Sequence, residues 1–251
     1  MERLVVGFHA RFQAAIERVF FKGKSSRTSV YLTYVIGNVV LMFLFFYLLL
    51  NTLAYDWTGR LYPVGSGFRL QTGLDTAIPF VPQMVVFYLY LFYPFVILTM
   101  LYFALVDYRK GYALGWSLVA INGIAVFFYI VFPVSTFWYR QELLAQPLVG
   151  NFWASQVYHI FDTDTSFNCF PSLHAAVSTI CFYTWFRYAK VKPGRTTKAL
   201  AAAAFVIAVG VILSALFIKQ HYVVDEIAGI ALAWVIGAIL FKRLWKSPRV
   251  I

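Results

Sequence analysis

The chain has 251 residues, of which 61% are hydrophobic and only 12% are charged, about half the charged fraction of an ordinary soluble domain. A water-soluble core cannot enclose so much apolar surface, so this composition excludes a soluble globular protein and makes the bilayer the solvent for most of the chain. The formal net charge of +11 indicates contact with an anionic membrane surface rather than with nucleic acid.

Residues 1–29 carry six basic residues and no long apolar run, which predicts a cytoplasmic arm and not a cleaved signal peptide. Apolar and basic side chains alternate in it at helical spacing, as is typical of an amphipathic helix lying on a membrane surface. The apolar positions are Leu4, Val5, Phe8, Phe12, Ile16, Val19 and Phe20, and the basic ones between them are Arg3, Arg11, Arg18 and Lys22.

Residues 30–251 contain six apolar segments and predict one all-α domain, an integral membrane bundle of six transmembrane helices. A helix needs about 20 residues to cross the hydrocarbon, and the fourth and sixth segments reach that length only with the polar residues at their starts. The segments are Val30–Leu50, Phe80–Val106, Tyr112–Pro133, Leu173–Phe186, Ala199–Ile218 and Tyr222–Phe241.

The basic residues are distributed unequally between the two sides of this bundle. Seventeen of the 21 fall in the arm, the C-terminal tail and two loops of one side, and four fall on the other side. Because cytoplasmic loops hold the excess of Lys and Arg, both termini are predicted to be cytoplasmic. The four basic residues of the outer side are Arg60, Arg69, Arg140 and Lys219.

Polar residues stand where two of the apolar helices begin. Pro171-Ser172-Leu173-His174 opens the fourth helix and His221-Tyr222-Val223-Val224-Asp225 opens the sixth. In a six-span topology both starts reach the outer surface, and helix N-termini with free N–H groups favour phosphate. Ser172 is predicted to be an N-cap that also contacts phosphate.

His221 and Asp225 are four residues apart, so they are expected to share a helical face on which the carboxylate orients the imidazole. Ser214, seven residues before His221, joins that face if the helix continues. A histidine oriented by an aspartate is an activated nucleophile, and His174 from the other helix is placed as a general acid. The predicted catalytic residues are His221, His174 and Asp225, in phosphoryl transfer without a metal.

The motifs Pro171-Ser172-x-His174 and Ser214-x6-His221-x3-Asp225 resemble the second and third motifs of the type 2 phosphatidic acid phosphatase superfamily. Its members are integral membrane enzymes with a six-helix core that act on lipid phosphates. The resemblance implies that His221 attacks phosphorus and that Asp225 stabilises the imidazolium. It also implies that His174 protonates the leaving oxygen and then activates water or an alcohol.

The chain departs from the usual family pattern at two cation positions. The first motif, with its Lys and Arg-Pro, is absent, and Ala215 stands where an arginine is usual. Three features are similar to the inositol phosphorylceramide synthase branch of the superfamily. They are Leu173 in the second motif, the sequence His-Tyr-x-x-Asp in the third motif, and the segment Asp75–Pro82. Arg140 and Lys219 are expected to replace the missing phosphate-binding cations, with Ser172 and Ser214 as further contacts.

Three functions remain open at this point. The first is hydrolysis of a lipid phosphate or pyrophosphate on the outer face, and the second is transfer of a phospho-headgroup onto a lipid alcohol. The third is an inactive transporter or scaffold that keeps the same core. Nothing in the sequence favours a particular oligomeric state.

No cofactor and no metal is expected. His159, Asp162 and Asp164 match no metal motif and are expected in a solvated loop. The two cysteines, Cys169 and Cys181, lie too far apart along the chain and the fourth helix to form a disulfide.

Overall fold

The computed structural model describes residues 2–24, 26–45 and 58–241. These residues form a helical bundle in which the only extended pairing is two isolated bridges. Short turns of 3-10 helix (Pro82–Met84) and π-helix (Val86–Leu91 and Gly237–Phe241) adjoin the α-helices. The α-helices are α1 (Glu2–Phe20), α2 (Arg27–Phe43), α3 (Thr58–Leu61), α4 (Gly73–Ala77), α5 (Phe92–Val106), α6 (Tyr108–Val131), α7 (Phe137–Ala145), α8 (Phe152–Thr163), α9 (Leu173–Val191), α10 (Arg195–Phe217) and α11 (Val223–Ile236).

Four segments of the described chain are long and apolar enough to cross a membrane, and they confirm the second, third, fifth and sixth predicted segments. They are Pro82–Val106, Tyr108–Val131, Arg195–Phe217 and Val223–Leu240. The first predicted segment is present as the shorter helix α2, and its residues 46–50 lie outside the described residues. Six spans are therefore not confirmed.

The fourth predicted segment forms helix α9, which is not among the four segments long and apolar enough to cross a membrane and which lies in the centre of the bundle. It packs against α5, α6, α10 and α11. Ser178, Thr179 and Thr184 are buried along it. A helix enclosed by other helices contacts little lipid, so its sequence tolerates polar side chains that a lipid-facing helix excludes.

The predicted N-terminal helix is present as α1 and packs on α2. Phe8 lies edge-on to Trp116 of α6, with 5.7 Å between ring centroids, and Ile16 is buried. Val19 and Phe20 remain exposed. Part of the apolar face thus contacts protein, while the location of α1 at a membrane interface and the domain boundary at residue 29 stay predictions.

At the His174 end of the bundle, backbone hydrogen bonds tie the long loops together. Parallel bridges join Phe68 to Val134 and Val134 to Asn168. The Val81 N–H donates to the Phe217 carbonyl at the end of α10, 3.0 Å away. The loops therefore brace the ends of α9 and α10, where the residues of the two motifs lie.

Candidate active site

The first turn of α9 positions His174. Ser172 caps this helix, as predicted, by accepting a hydrogen bond from the Ala175 N–H (3.2 Å). The Ser172 N–H in turn donates to the Asp225 carbonyl (3.0 Å). The cap of α9 is thus joined to the first turn of α11, and this bond brings the two predicted motifs together.

Aromatic packing holds the ring of His174 in place. The ring stacks on Tyr88 with 4.0 Å between centroids and contacts Phe92 at 4.5 Å. The side chain is buried, and its Nε2 atom has no hydrogen-bond partner. A buried polar atom without a partner has a cost that a functional role explains, so Nε2 is available to a substrate.

A sharp corner between α10 and α11 positions His221. Lys219 has a φ of 60°, in the left-handed region, and ends α10 in the way that usually requires glycine. The N–H groups of Gln220 and His221 both donate back to the Ala215 carbonyl, at 2.9 Å and 3.3 Å. His221 therefore precedes α11 instead of lying inside a helix.

This corner changes the position of Ser214 relative to the expectation. The helix does not continue from Ser214 to His221, so the two residues do not share one helical face. The Ser214 hydroxyl is buried and donates to the Val211 carbonyl within α10 (2.6 Å). Its hydrogen is used inside the helix, which leaves its predicted contact with phosphate without structural support.

Asp225 and His221 lie close together, as their spacing of four predicts, although His221 precedes α11 and does not share a helical face with Asp225. The Oδ2 atom of Asp225 accepts a hydrogen bond from the Tyr222 N–H (2.8 Å) and lies 3.6 Å from Nδ1 of His221. The other oxygen, Oδ1, is buried without a hydrogen-bond partner. The carboxylate thus lies at ion-pair distance from the imidazole and is fixed by the start of α11.

Burial and two neighbouring carboxylates shift the pKa of His221. Burial disfavours the imidazolium and lowers its pKa, but Asp225 and the carboxylate of Glu226 raise it more. The pKa of His221 therefore lies above its ordinary value. A nearby carboxylate has this effect because it stabilises the protonated ring.

The two histidine rings face each other at the same end of the bundle. Their centroids are 5.9 Å apart and their planes are inclined by 60°. Reacting atoms lie about 3–3.5 Å apart before attack, so the two rings are close enough to contact different atoms of one phosphate group. The structure thus brings together His174, His221 and Asp225.

The guanidinium of Arg140 is hydrogen-bonded within the protein, which the sequence did not indicate. Its Nη1 donates to the carbonyls of Phe161 (3.1 Å) and Asp164 (2.6 Å). Its Nη2 donates to the Thr165 carbonyl (3.1 Å) and to Oε1 of Gln220 (3.0 Å), and only Nε has no partner. The guanidinium therefore ties the loop after α8 to the corner that holds His221, instead of presenting a free fork to phosphate.

Arg140→Lys is expected to destabilise the protein by about 2–4 kcal/mol, because a lysine cannot reproduce four hydrogen bonds from one planar fork. Thermal unfolding of the detergent-solubilised variant measures the effect. Arg60→Lys, which changes an exposed arginine of the same side, serves as the control. An Arg140→Lys protein with the melting temperature of the wild type would contradict this structural role.

The ammonium group of Lys219 is hydrogen-bonded within the protein as well. Its Nζ donates to the carbonyls of Asp75 (2.9 Å) and Ile78 (2.5 Å) and lies 5.0 Å from the centroid of the Tyr139 ring. Burial lowers its pKa below the ordinary value. Both cations that were expected to bind phosphate therefore hold loops in place in this structure.

The first N–H group of α11, that of Val223, is also hydrogen-bonded within the protein. This differs from the expectation that the start of this helix offers free N–H groups to phosphate. Oδ1 of the buried Asp75 accepts from the Val223 N–H (2.7 Å), and its Oδ2 accepts from the Thr72 N–H (2.7 Å). A carboxylate in this position satisfies both the free donor and the helix dipole. Of the two helix starts, the α9 end remains the better candidate for phosphate.

Three residues near His221 were missed or misjudged from the sequence. Glu226 is buried, and neither of its carboxylate oxygens has a hydrogen-bond partner. Asp164, expected in solvent, is half-buried and accepts from Asn168 (2.9 Å). Cys169 lies beside His221 and Asp225. An acidic residue at the start of an apolar helix is a functional candidate by default, so Glu226 had a signal in the sequence.

The four helices of the described chain that are long and apolar enough to cross a membrane define an integral membrane protein, and membership of the following family makes it one of the phosphatase or phosphotransferase type. The chain belongs to the PAP2 superfamily, whose family model matches residues 65–239. Comparisons with curated proteins and with solved structures gave no match. The resemblance to the phosphatidic acid phosphatase superfamily is confirmed, while the closer likeness to the synthase branch stays a prediction.

Proposed function

We propose that this protein is a membrane lipid phosphatase that hydrolyses a lipid phosphate or pyrophosphate through a phosphohistidine on His221. The observation that carries the proposal is the pair of buried rings, 5.9 Å apart, with an unpartnered Nε2 on His174. The distribution of Lys and Arg supports an active site on the non-cytoplasmic face, with both termini in the cytoplasm. The exposed apolar end of α1 supports its predicted contact with the membrane surface.

In the first step, a ring nitrogen of neutral His221 attacks phosphorus and the bond from phosphorus to the leaving oxygen breaks. His174 donates a proton to that oxygen, so the leaving group departs as an alcohol or a phosphate. Asp225 orients the ring and compensates the positive charge that develops on it. The step conserves charge because the proton lost by His174 leaves with the product.

In the second step, His174 is neutral and accepts a proton from water as the water attacks phosphorus. The bond between phosphorus and His221 breaks, inorganic phosphate leaves, and His174 is protonated for the next cycle. The N-terminal end of α9 with Ser172 supplies partial positive charge to the phosphoryl oxygens. No step requires a metal ion.

The direct test is detection of the covalent intermediate. Purified protein is mixed rapidly with a radiolabelled lipid phosphate and quenched with base, and the labelled peptide is mapped. We expect acid-labile phosphate on His221 and none in His221→Gln. Release of phosphate by the wild type without any label on His221 would overturn the mechanism. A protein without phosphate release or label would support the inactive scaffold.

The pH profile of turnover is expected to report on His221. Attack requires the neutral ring, so kcat/KM falls as pH drops through the pKa of His221, which its carboxylate neighbours raise above the ordinary value. Glu226→Gln removes one of these charges and is expected to move the acid limb to lower pH by about one unit. Glu142→Gln, at an exposed acid of the same side, serves as the control. An acid limb of the kcat/KM profile that stays at the same pH in Glu226→Gln would contradict its assignment to His221.

A groove in the lipid-facing surface supports a substrate with a long alkyl chain. It has a volume of about 500 Å³ and runs from Leu91 to Leu105 between α5 and α10. At a rise of about 1.5 Å per residue its length is about 21 Å. It begins beside Phe92, whose ring contacts His174, so a lipid whose phosphate lies between the histidines can lay its chain along it.

Ala203→Phe is expected to fill this groove and to raise KM for a long-chain lipid phosphate about tenfold, which corresponds to about 1.4 kcal/mol of lost binding. Turnover of a short-chain analogue should change little. Ala202→Phe, on the same helix but outside the groove, is the matched control. Equal effects on both substrates, or in both variants, would contradict the assignment.

A second candidate function is transfer of a phospho-headgroup onto a lipid alcohol, and one pocket favours it. The pocket has a volume of about 400 Å³ and is lined by Arg140, Asp162, Asp164 and Thr165, among others. Burial raises the pKa of Asp164 to about 6, against the opposing effect of Arg140. Carboxyl groups in a concave site suit a headgroup rich in hydroxyls. Assays with a lipid panel decide: free phosphate indicates hydrolysis, and a new headgroup-bearing lipid indicates transfer.

A further inference from the structure

We propose that Cys169, His221 and Asp225 form a binding site for a soft divalent cation such as Zn²⁺, and that the bound ion inhibits the enzyme. Binding of the ion depends only on these three side chains. The inhibition rests on the proposed function, because it requires His221 to be the nucleophile.

The three side chains converge in space although Cys169 is far from the others in sequence. Each offers one ligand atom, and these atoms all lie within 4.8 Å of one another. In a tetrahedral zinc site with bonds of about 2.0–2.3 Å, ligand atoms are about 3–4 Å apart. Small side-chain rotations, without backbone movement, are therefore enough to close the site around an ion.

Two of the candidate ligand atoms have no hydrogen bond within the protein. Nδ1 of His221 and Oδ1 of Asp225 are buried and have no hydrogen-bond partner. The Cys169 sulfur contacts the carbonyl oxygens of Ser166 (3.2 Å) and Gln220 (3.7 Å) and Oγ1 of Thr136 (3.8 Å). An ion would thus give ligand bonds to two buried atoms that have no hydrogen bond, of which Nδ1 has only the ion-pair contact with Oδ2 at 3.6 Å.

The charges of the site also match a divalent cation. Burial raises the pKa of the Cys169 thiol, so without an ion the sulfur keeps its proton. Binding of Zn²⁺ displaces that proton to solvent, and one thiolate with the Asp225 carboxylate then neutralises the two positive charges. A neutral assembly avoids the cost of an uncompensated charge in a buried site.

The ligand set selects among metals. Thiolate and imidazole ligands suit Zn²⁺ and other soft or borderline ions, whereas Mg²⁺ and Ca²⁺ require several oxygen ligands. Asp225 is the one oxygen ligand among the three. The site is therefore expected to bind Zn²⁺ or Cd²⁺ and to ignore Mg²⁺.

Inhibition follows from the chemistry of a neutral imidazole, which has one lone pair for a ligand or for attack. If the ion binds Nδ1, the other nitrogen carries the proton and has no lone pair to attack phosphorus. If the ion binds Nε2, the ion itself blocks that atom. In both arrangements His221 is unavailable as a nucleophile.

The binding test compares four proteins purified in detergent: the wild type, Cys169→Ala, Cys169→Ser and Cys181→Ala. The last is the matched control, because Cys181 is also free and buried but belongs to α9. Competition with a chromogenic chelator should show one Zn²⁺ per chain in the wild type and in Cys181→Ala. Affinity should fall in both Cys169 variants by at least the roughly 10–100-fold that loss of a supporting contact costs. With Co²⁺ as a probe, the thiolate charge-transfer absorption should disappear in Cys169→Ser.

The activity test measures turnover of a lipid phosphate with and without Zn²⁺ on the same proteins. We expect Zn²⁺ to inhibit the wild type and Cys181→Ala, Mg²⁺ to have no effect, and both Cys169 variants to resist. The proposed site is overturned, whatever the turnover, if the wild type does not bind one Zn²⁺ per chain. It is also overturned if Cys181→Ala loses as much Zn²⁺ affinity as the Cys169 variants. Binding through Cys169 with undiminished turnover overturns the inhibition. A missing phosphohistidine, by contrast, overturns the proposed mechanism and leaves the binding result intact.

Discussion

In a His174→Ala variant, we expect phosphohistidine to accumulate on His221 when the substrate is an aryl phosphate. An aryl oxide leaves without help from an acid, so the first step proceeds at a substantial rate. The second step still needs a base to activate water, and that base is absent. The variant should therefore release about one equivalent of phenol per active site in a rapid burst and then turn over slowly.

The size of the effect depends on the leaving group. General acid–base help contributes about 10²–10⁴-fold, so steady-state turnover should fall by that factor. With an alkyl lipid phosphate both steps need His174, and no burst is expected. Rapid-quench kinetics with the two substrates separates these cases.

Two further variants serve as controls for the burst experiment. His221→Ala should show neither burst nor label with either substrate, because the nucleophile itself is missing. Cys181→Ala, which changes a buried residue on the same helix, should behave as the wild type. A burst that survives in His221→Ala, or wild-type turnover of the alkyl substrate by His174→Ala, would refute the division of roles.

The parts of this protein that could be predicted from sequence are those decided by local pattern. Long apolar runs indicate the membrane-crossing helices because every backbone group in lipid must be bonded within the helix. The pairing of His221 with Asp225 follows from their spacing, and the Ser172 cap follows from its place before an apolar helix. These features depend on residues a few positions apart.

The roles of Arg140 and Lys219 could not be predicted in the same way, because their partners are remote in sequence. Lys219 binds carbonyls at Asp75 and Ile78, 144 and 141 residues away. A carbonyl acceptor has no signature in the sequence, since every residue has one. The sequence shows that Lys219 is close to His221, but only the fold shows what its ammonium group contacts.

The break between α10 and α11 was predicted, since the fifth segment ends at Ile218 and the sixth begins at Tyr222, but the sharp corner that makes the break was not. A left-handed residue at a helix end is usually glycine, and Lys219 has the same φ without that signal. Only the expectation for Ser214 assumed that the helix continues as far as His221. The corner displaces Ser214 from the expected face while it keeps His221 next to Asp225.

In a Gly229→Ala variant, we expect activity to be lost although no catalytic group is changed. Gly229 lies where α11 crosses the start of α9. A Cβ atom there would overlap the Ser172 carbonyl oxygen and would lie 3.0 Å from the Ala175 Cβ. The carbonyl cannot move aside, because it accepts the Ala176 N–H (3.0 Å) in the first turn of α9.

The added methyl group therefore pushes α11 away from α9, and the corner with His221 moves with it. Overpacking of this kind costs about 1–3 kcal/mol of stability. A displacement of about 1 Å in a reacting pair costs on the order of 10²-fold in rate. We expect kcat to fall by about that factor while KM changes less, because the groove between α5 and α10 is not touched.

Gly123→Ala is the matched control, since it adds the same methyl group within a helix. Gly123 lies in α6, and a Cβ atom there meets nothing within 4 Å. Alanine favours a helix over glycine by about 1 kcal/mol, so this variant should be at least as stable and as active as the wild type. Measurement of kcat, KM and melting temperature for both variants separates contact between α9 and α11 from a general effect of glycine replacement. Full activity in Gly229→Ala would mean that the two histidines do not depend on this helix crossing for their mutual distance.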